Sequence, residues 1–96
     1  MNQTITLGDL RLELDNIDQQ VVKLLVKRFH ITDEIGAIKL EQGMNVYDES
    51  REKAIYDKIR QICYETLTED DDISEIIVEI YALVLLNSRK RQELLR

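Results

Sequence analysis

Arg28 stands where the surrounding pattern calls for an apolar side chain. Leu10, Leu14, Ile17, Val21, Leu24, Ile31, Ile35 and Ile38 recur at steps of three and four, as along the seam of a long amphipathic helix. The one seam position between Leu24 and Ile31 is Arg28. A guanidinium facing a helical core is costly unless paired, so an anion is expected to meet it there. Lys39 lies eleven residues on and, at about 100° per residue, falls within roughly 20° of the same face. Two cations on one interior face make a pocket for a small polyanion.

Further polar groups stand out along the chain. Asp48, Arg51 and Glu52 cluster, with opposite charges side by side. Ser88 and Gln92 are four apart, so on a helix they share one face. Other chemistries lack their residues. Cys63 and His30 are too few and too far apart for a zinc site, and no Ser-His-Asp set is visible. Cys63 reads as a small core filler, and His30 as a helix-surface residue. A single cysteine forms no internal disulfide, which fits a reducing cytoplasm. The net charge of −6 disfavours nucleic acid or an anionic membrane as partner, since both select basic surfaces. No apolar run approaches the roughly 20 residues that span a bilayer.

Helices must position these groups. Proline is absent and glycine occurs only at 8, 36 and 43, so turn punctuation is scarce. The expected fold is all-α: one domain of three helices over residues 1–96. The first helix runs from about Leu7 to Glu41, with Thr6 or Asp9 as its cap. Residues 42–46 form the first break, with Gly43 suited to the left-handed position that ends a helix. Asp48 caps a second helix, Glu49 to Tyr64, with Ala54, Ile55, Ile59 and Ile62 turned inward. Thr68 with Asp71 resembles a capping box, in an acidic run at 69–72 that suits a helix N-terminus. The third helix runs to about Leu95 over Ile73, Ile76, Ile77, Ile80, Leu83 and Val84. Dipole compensation and solvation account for most of its basic end, Arg89, Lys90, Arg91 and Arg96.

Geometry then implies assembly. A first helix of about 35 residues spans about 50 Å, more than its two shorter companions can cover. The remaining seam calls for a second copy, with twofold symmetry. Arg11 is seventeen residues from Arg28, about 25 Å along the axis and roughly 100° around it. If both serve one anion, Arg11 comes from the other subunit.

Taken together, these stretches resemble the all-helical class of chorismate mutases along essentially the whole chain. The matching residues are Leu10-Arg11, Ile17-Asp18, Leu24-Leu25, Lys27-Arg28, Ile35-Gly36 with Lys39, Gly43 through Arg51-Glu52, and Ser88 with Gln92. None is specific alone; all of them, in this order and at these spacings, are. The resemblance implies an intertwined homodimer whose long first helices span both subunits, acting on chorismate without a cofactor or metal. It implies that Arg28 and a cross-subunit Arg11 hold two carboxylates, with Ser88 assisting. Lys39 and Gln92 would contact the ether oxygen. Glu52 and the backbone near Asp48 would receive the ring hydroxyl, and Arg51 would complete the electrostatic frame. The family usually has proline where this chain has Asn45, which bears on the stiffness of the first loop and on no catalytic group.

The chemistry accords with these residue types. Converting chorismate to prephenate is an intramolecular pericyclic rearrangement, requiring neither a nucleophile nor net proton transfer. Two rival readings remain open, one a sibling activity on the same fold and the other not catalytic. An isochorismate pyruvate lyase, in that family's terms, lacks the carboxylate after the helix-two arginine and the helix-three serine, whereas Glu52 and Ser88 are present. A non-catalytic dimerisation or regulatory module would use buried cations only to set register.

Overall fold

The computed structural model describes residues 4–68 and 72–96, which form three α-helices and, among those residues, no strand. They are α1 (Leu7–Glu41), α2 (Glu49–Thr66) and α3 (Ser74–Glu93). Thr6 and Asp9 start α1 as a reciprocal pair. The Thr6 backbone N–H donates to Asp9 Oδ2 at 3.0 Å, and the Asp9 N–H donates to Thr6 Oγ1 at 3.1 Å. At the other end Gly43 takes φ +67°. The Met44 N–H reaches the Lys39 carbonyl at 2.8 Å and the Gly43 N–H reaches that of Leu40 at 3.2 Å, closing the helix in a Schellman motif. Asp48 caps α2 as expected, its carboxylate accepting from the Arg51 N–H at 3.0 Å.

The second break lies later than the sequence suggested. Helix α2 continues two residues past Tyr64 to Thr66, whose hydroxyl donates to the Ile62 carbonyl at 2.7 Å. Helix α3 starts at Ser74, where Asp72 Oδ1 accepts from the Ser74 N–H at 3.1 Å and from its hydroxyl at 2.5 Å. Residues 69–71, and with them the expected box between Thr68 and Asp71, lie outside the described residues.

Contacts divide the chain into two units, Met1–Ile31 and Thr32–Arg96. In the first, α1 leaves Leu10, Leu14, Ile17, Val21 and Leu24 exposed, while Leu25, Arg28 and Phe29 are half-buried. In the second, α2 packs on α3, Val46, Ile59, Cys63, Val84 and Leu85 are the buried apolar residues, and Thr32, Asp33 and Gly36 of α1 meet Arg91 and Gln92 of α3. The covered side of α3 is Ile77, Tyr81, Val84, Leu85, Ser88 and Gln92. Ile73, Ile76, Ile80 and Leu83, expected inward, are exposed, as are Ala54 and Ile62 of α2. At about 100° per residue, Ile76, Ile80 and Leu83 form a stripe roughly 120° from the covered one, beyond the reach of two neighbours. Helix α3 thus carries two apolar faces, one of them bare.

Candidate active site

Six of the eight candidate residues belong to the second unit. The other two, Arg11 and Arg28, lie on the N-terminal stretch of α1, the first exposed and the second half-buried. One continuous helix holds them about 25 Å apart along its axis, so a single chain does not bring them together.

Lys39 is drawn out of solvent by the loop that follows its helix. Its ammonium donates to the Val46 carbonyl at 2.7 Å, and Val46 is itself buried, so the loop between α1 and α2 folds back over the end of α1. Two residues on, Asp48 spends its carboxylate on the α2 cap, leaving the nearby backbone as the polar surface there. Arg51 is exposed. Glu52 is half-buried and pairs not with adjacent Arg51 but with Arg89 of α3.

Among the described residues Ser88 and Gln92 are the buried polar side chains, each 5% exposed. Their spacing of four puts both on the covered face of α3. The Ser88 hydroxyl donates back to the Val84 carbonyl at 2.9 Å, so its O–H must turn about the Cβ–Oγ bond and give up that contact before donating to a ligand. Gln92 reaches across to α1, its Nε2 donating to the Thr32 carbonyl at 2.8 Å. Its Oε1 is buried with no partner among the described residues. Beside it, Arg91 grips Asp33 through Nε at 2.9 Å and Nη2 at 2.6 Å, a bidentate pair that holds the guanidinium pKa above its ordinary value.

Arg89, which the sequence places only in the basic end of α3, is the ion-pair partner of candidate residue Glu52. It donates through Nη1 to both Glu52 oxygens and lies over the Tyr47 ring, 5.3 Å from its centroid. These three line a shallow cleft of about 570 Å³ with Tyr56, Leu83 and Leu86; Lys39, Ser88 and Gln92 do not line it. One local signal existed. Arg89 falls four residues after Leu85 and three before Gln92, at the margin of the covered face rather than on the solvated one.

The donors of this unit include the Lys39 ammonium, the Gln92 amide and the guanidinium groups of Arg51, Arg89 and Arg91, types suited to binding anionic or electron-rich oxygen. Among the described residues no three His, Cys, Asp or Glu side chains are grouped to hold a metal ion, and no helix is long and apolar enough to cross a membrane. The family model for chorismate mutase type II matches residues 10–93. The chain belongs to that family. Similar curated proteins include the chorismate mutase of Methanocaldococcus jannaschii, 29% identical over 87 residues, covering 91% of this chain and 84% of the relative. A bifunctional chorismate mutase/prephenate dehydratase of Aquifex aeolicus is 34% identical over 56 residues, 58% of this chain but 16% of that protein. The T-protein of Haemophilus influenzae is 35% identical over 49 residues, 51% of this chain and 13% of its own length. No solved structure matches significantly. The span matched by the type II chorismate mutase model contains all eight candidate positions, from Arg11 to Gln92.

Proposed function

We propose that this chain is a chorismate mutase, an isomerase that converts chorismate to prephenate on the route to aromatic amino acids. The family match over residues 10–93 carries this conclusion. The reaction is intramolecular: the ether bond breaks as a new carbon–carbon bond forms within one molecule. The protein needs to hold the substrate in its folded conformer and stabilise negative charge growing on the ether oxygen, which fixed donors in a water-poor pocket achieve. Lys39 and Gln92 serve that oxygen, and the nearly complete burial of the Gln92 amide supports the role. Arg28 and Arg11 of a second copy hold the two carboxylates, with Ser88 assisting. Glu52 and the backbone beside Asp48 take the ring hydroxyl, and Arg51 adds positive potential.

The working unit in this proposal is a homodimer. Exposed Leu10, Leu14, Ile17, Val21 and Leu24 on α1, with bare Ile76, Ile80 and Leu83 on α3, are apolar surface that a second copy would cover. The same proposal places the enzyme in the cytoplasm, where a free thiol such as Cys63 stays reduced.

Incubating the purified chain with chorismate, and separately with isochorismate, tests the activity. Prephenate from chorismate is the expected product. Pyruvate and salicylate from isochorismate, without prephenate from chorismate, would assign the lyase instead, and no turnover of either would leave a binding module.

A further inference from the structure

Gly36 is buried inside the last third of α1, where glycine weakens a helix by its extra backbone freedom. The reason for it lies on α3. A Cβ built on Gly36 would stand 2.5 Å from Gln92 Cγ, 3.1 Å from its Cβ and 3.2 Å from its Cδ. The nearest of these is far inside van der Waals contact, and it belongs to the body of the side chain, not to a free tip that could swing away. One turn earlier, the Thr32 carbonyl accepts the Gln92 Nε2 hydrogen bond at 2.8 Å. Thus α1 receives this one side chain at two points, a hollow for its methylenes and an acceptor for its amide. The acceptor also decides which way the amide faces. Reversing it would set Oε1 against the Thr32 carbonyl, two acceptors together. With one Nε2 hydrogen on Thr32, the second is left to donate elsewhere.

We infer that Gly36 and the Thr32 carbonyl form a socket on α1 that positions the Gln92 amide for the rearrangement, making Gly36 a positioning residue of the enzyme. The inference rests on the role proposed above for Gln92. A glycine needed only for close helix packing would answer to any bulk on α3; this one answers to Gln92.

The test compares Gly36→Ala, Gln92→Ala and the double variant in the full chain, measuring kcat and KM for chorismate and the melting temperature. Gly36→Ala is expected to lower kcat by about tenfold or more, since small misplacements of a catalytic group are expensive. KM should stay within about twofold, as for an interaction made only in the transition state. On the Gln92→Ala background, where Cγ and Cδ are gone, the same change should alter kcat by less than about twofold. Equal losses on both backgrounds, or a fully active Gly36→Ala beside an impaired Gln92→Ala, would overturn the socket while leaving the role of Gln92 intact. A fully active Gln92→Ala would remove that role and the socket with it. Should Gly36→Ala fail to fold, the double variant decides: folding with the melting temperature of Gln92→Ala supports the socket, and failure to fold overturns it.

Discussion

Arg89 on α3 donates through a single nitrogen, Nη1, to both carboxylate oxygens of Glu52 on α2, at 2.6 Å from Oε2. The same guanidinium lies over Tyr47, one residue beyond the Val46 carbonyl that holds Lys39. One cation therefore joins α3, α2 and the loop between α1 and α2. Arg96 adds a second tie from the end of α3 to the Met44 carbonyl in that loop. These contacts fasten a segment that has Asn45 where the family usually has proline.

Removing Arg89 should loosen both structure and site. The two side chains are 30% and 16% exposed, so solvent screens part of the attraction. Arg89→Met should cost about 1–3 kcal/mol, between the values for surface and buried pairs. For a chain of this size that is a fall of at least about 5 °C in melting temperature. With Glu52 no longer held, turnover of chorismate should drop roughly tenfold. A cycle with Glu52→Gln measures the coupling by thermal melts and kinetics. Strict additivity would show that the pair contributes nothing to either.

The acidic caps should respond to acid pH. The Thr6 backbone N–H, and then its hydroxyl, hold the Asp9 carboxyl below its ordinary value of 3.8. For Asp72 the Ser74 hydroxyl leads, followed by the Ser74 backbone N–H, again in the lowering direction. A depressed acid stabilises the fold above its unfolded pKa and loses that contribution as pH falls through its folded value. The ends of α1 and α3 should therefore fray only as the pH drops below 3.8. Carboxyl NMR titration should place both midpoints beneath that value, and Thr6→Ala should raise the Asp9 midpoint part of the way, since the backbone donor remains. An unmoved midpoint would show that the Thr6 hydroxyl plays no part.

Local signals in the sequence carried much of this structure. Apolar spacing and Gly43 located both ends of α1, and Asp48 located the start of α2, because caps and periodicity are properties of neighbouring residues. Helix α3 begins at Ser74, with Ile73 in the capping position and Asp72 bonded to Ser74 just ahead of it, while the box expected between Thr68 and Asp71 lies outside the described residues. The shared face of Ser88 and Gln92 follows from their spacing, but that this face is buried, and which apolar stripe of α3 is covered, depends on where the other helices lie, which no local pattern states. The place of Arg89 at the margin of the covered face is a local signal, but its pairing with Glu52, 37 residues away, is not. The need for Gly36 likewise exists only once Gln92 is packed against it.

The substitution Gln92→Glu should convert a pH-independent donor into a pH-dependent one. The amide does not titrate, whereas an ionised carboxylate in its place only accepts. It would face the Thr32 carbonyl on one side and, in the proposed site, an ether oxygen gaining partial negative charge on the other. The substituted enzyme should be poorly active at neutral pH and regain activity as the carboxyl protonates. Stability should follow the same sign. Folding favours the protonated acid here, so the penalty grows as pH rises beyond the ordinary carboxylate range and vanishes below it. Profiles of kcat/KM and melting temperature against pH check both, and curves parallel to those of the unsubstituted enzyme would mean that Gln92 touches neither Thr32 nor the breaking bond.

A site shared between two copies is tested most directly by mixing two inactive variants. Arg11→Ala and Arg28→Ala each remove one arginine from every site of a homodimer, so each alone should turn over chorismate at no more than about a hundredth of the normal rate. In a hybrid dimer one site keeps Arg28 from the first chain and Arg11 from the second. Random exchange at equal concentrations makes half the dimers hybrids, each with one intact site, so about a quarter of the unsubstituted activity should return. The measurement is prephenate formation after the two proteins are unfolded together and refolded, with hybrid formation verified by mass. Restoration to that level supports a shared chorismate mutase site. Hybrids that form yet stay as inactive as either parent would contradict it.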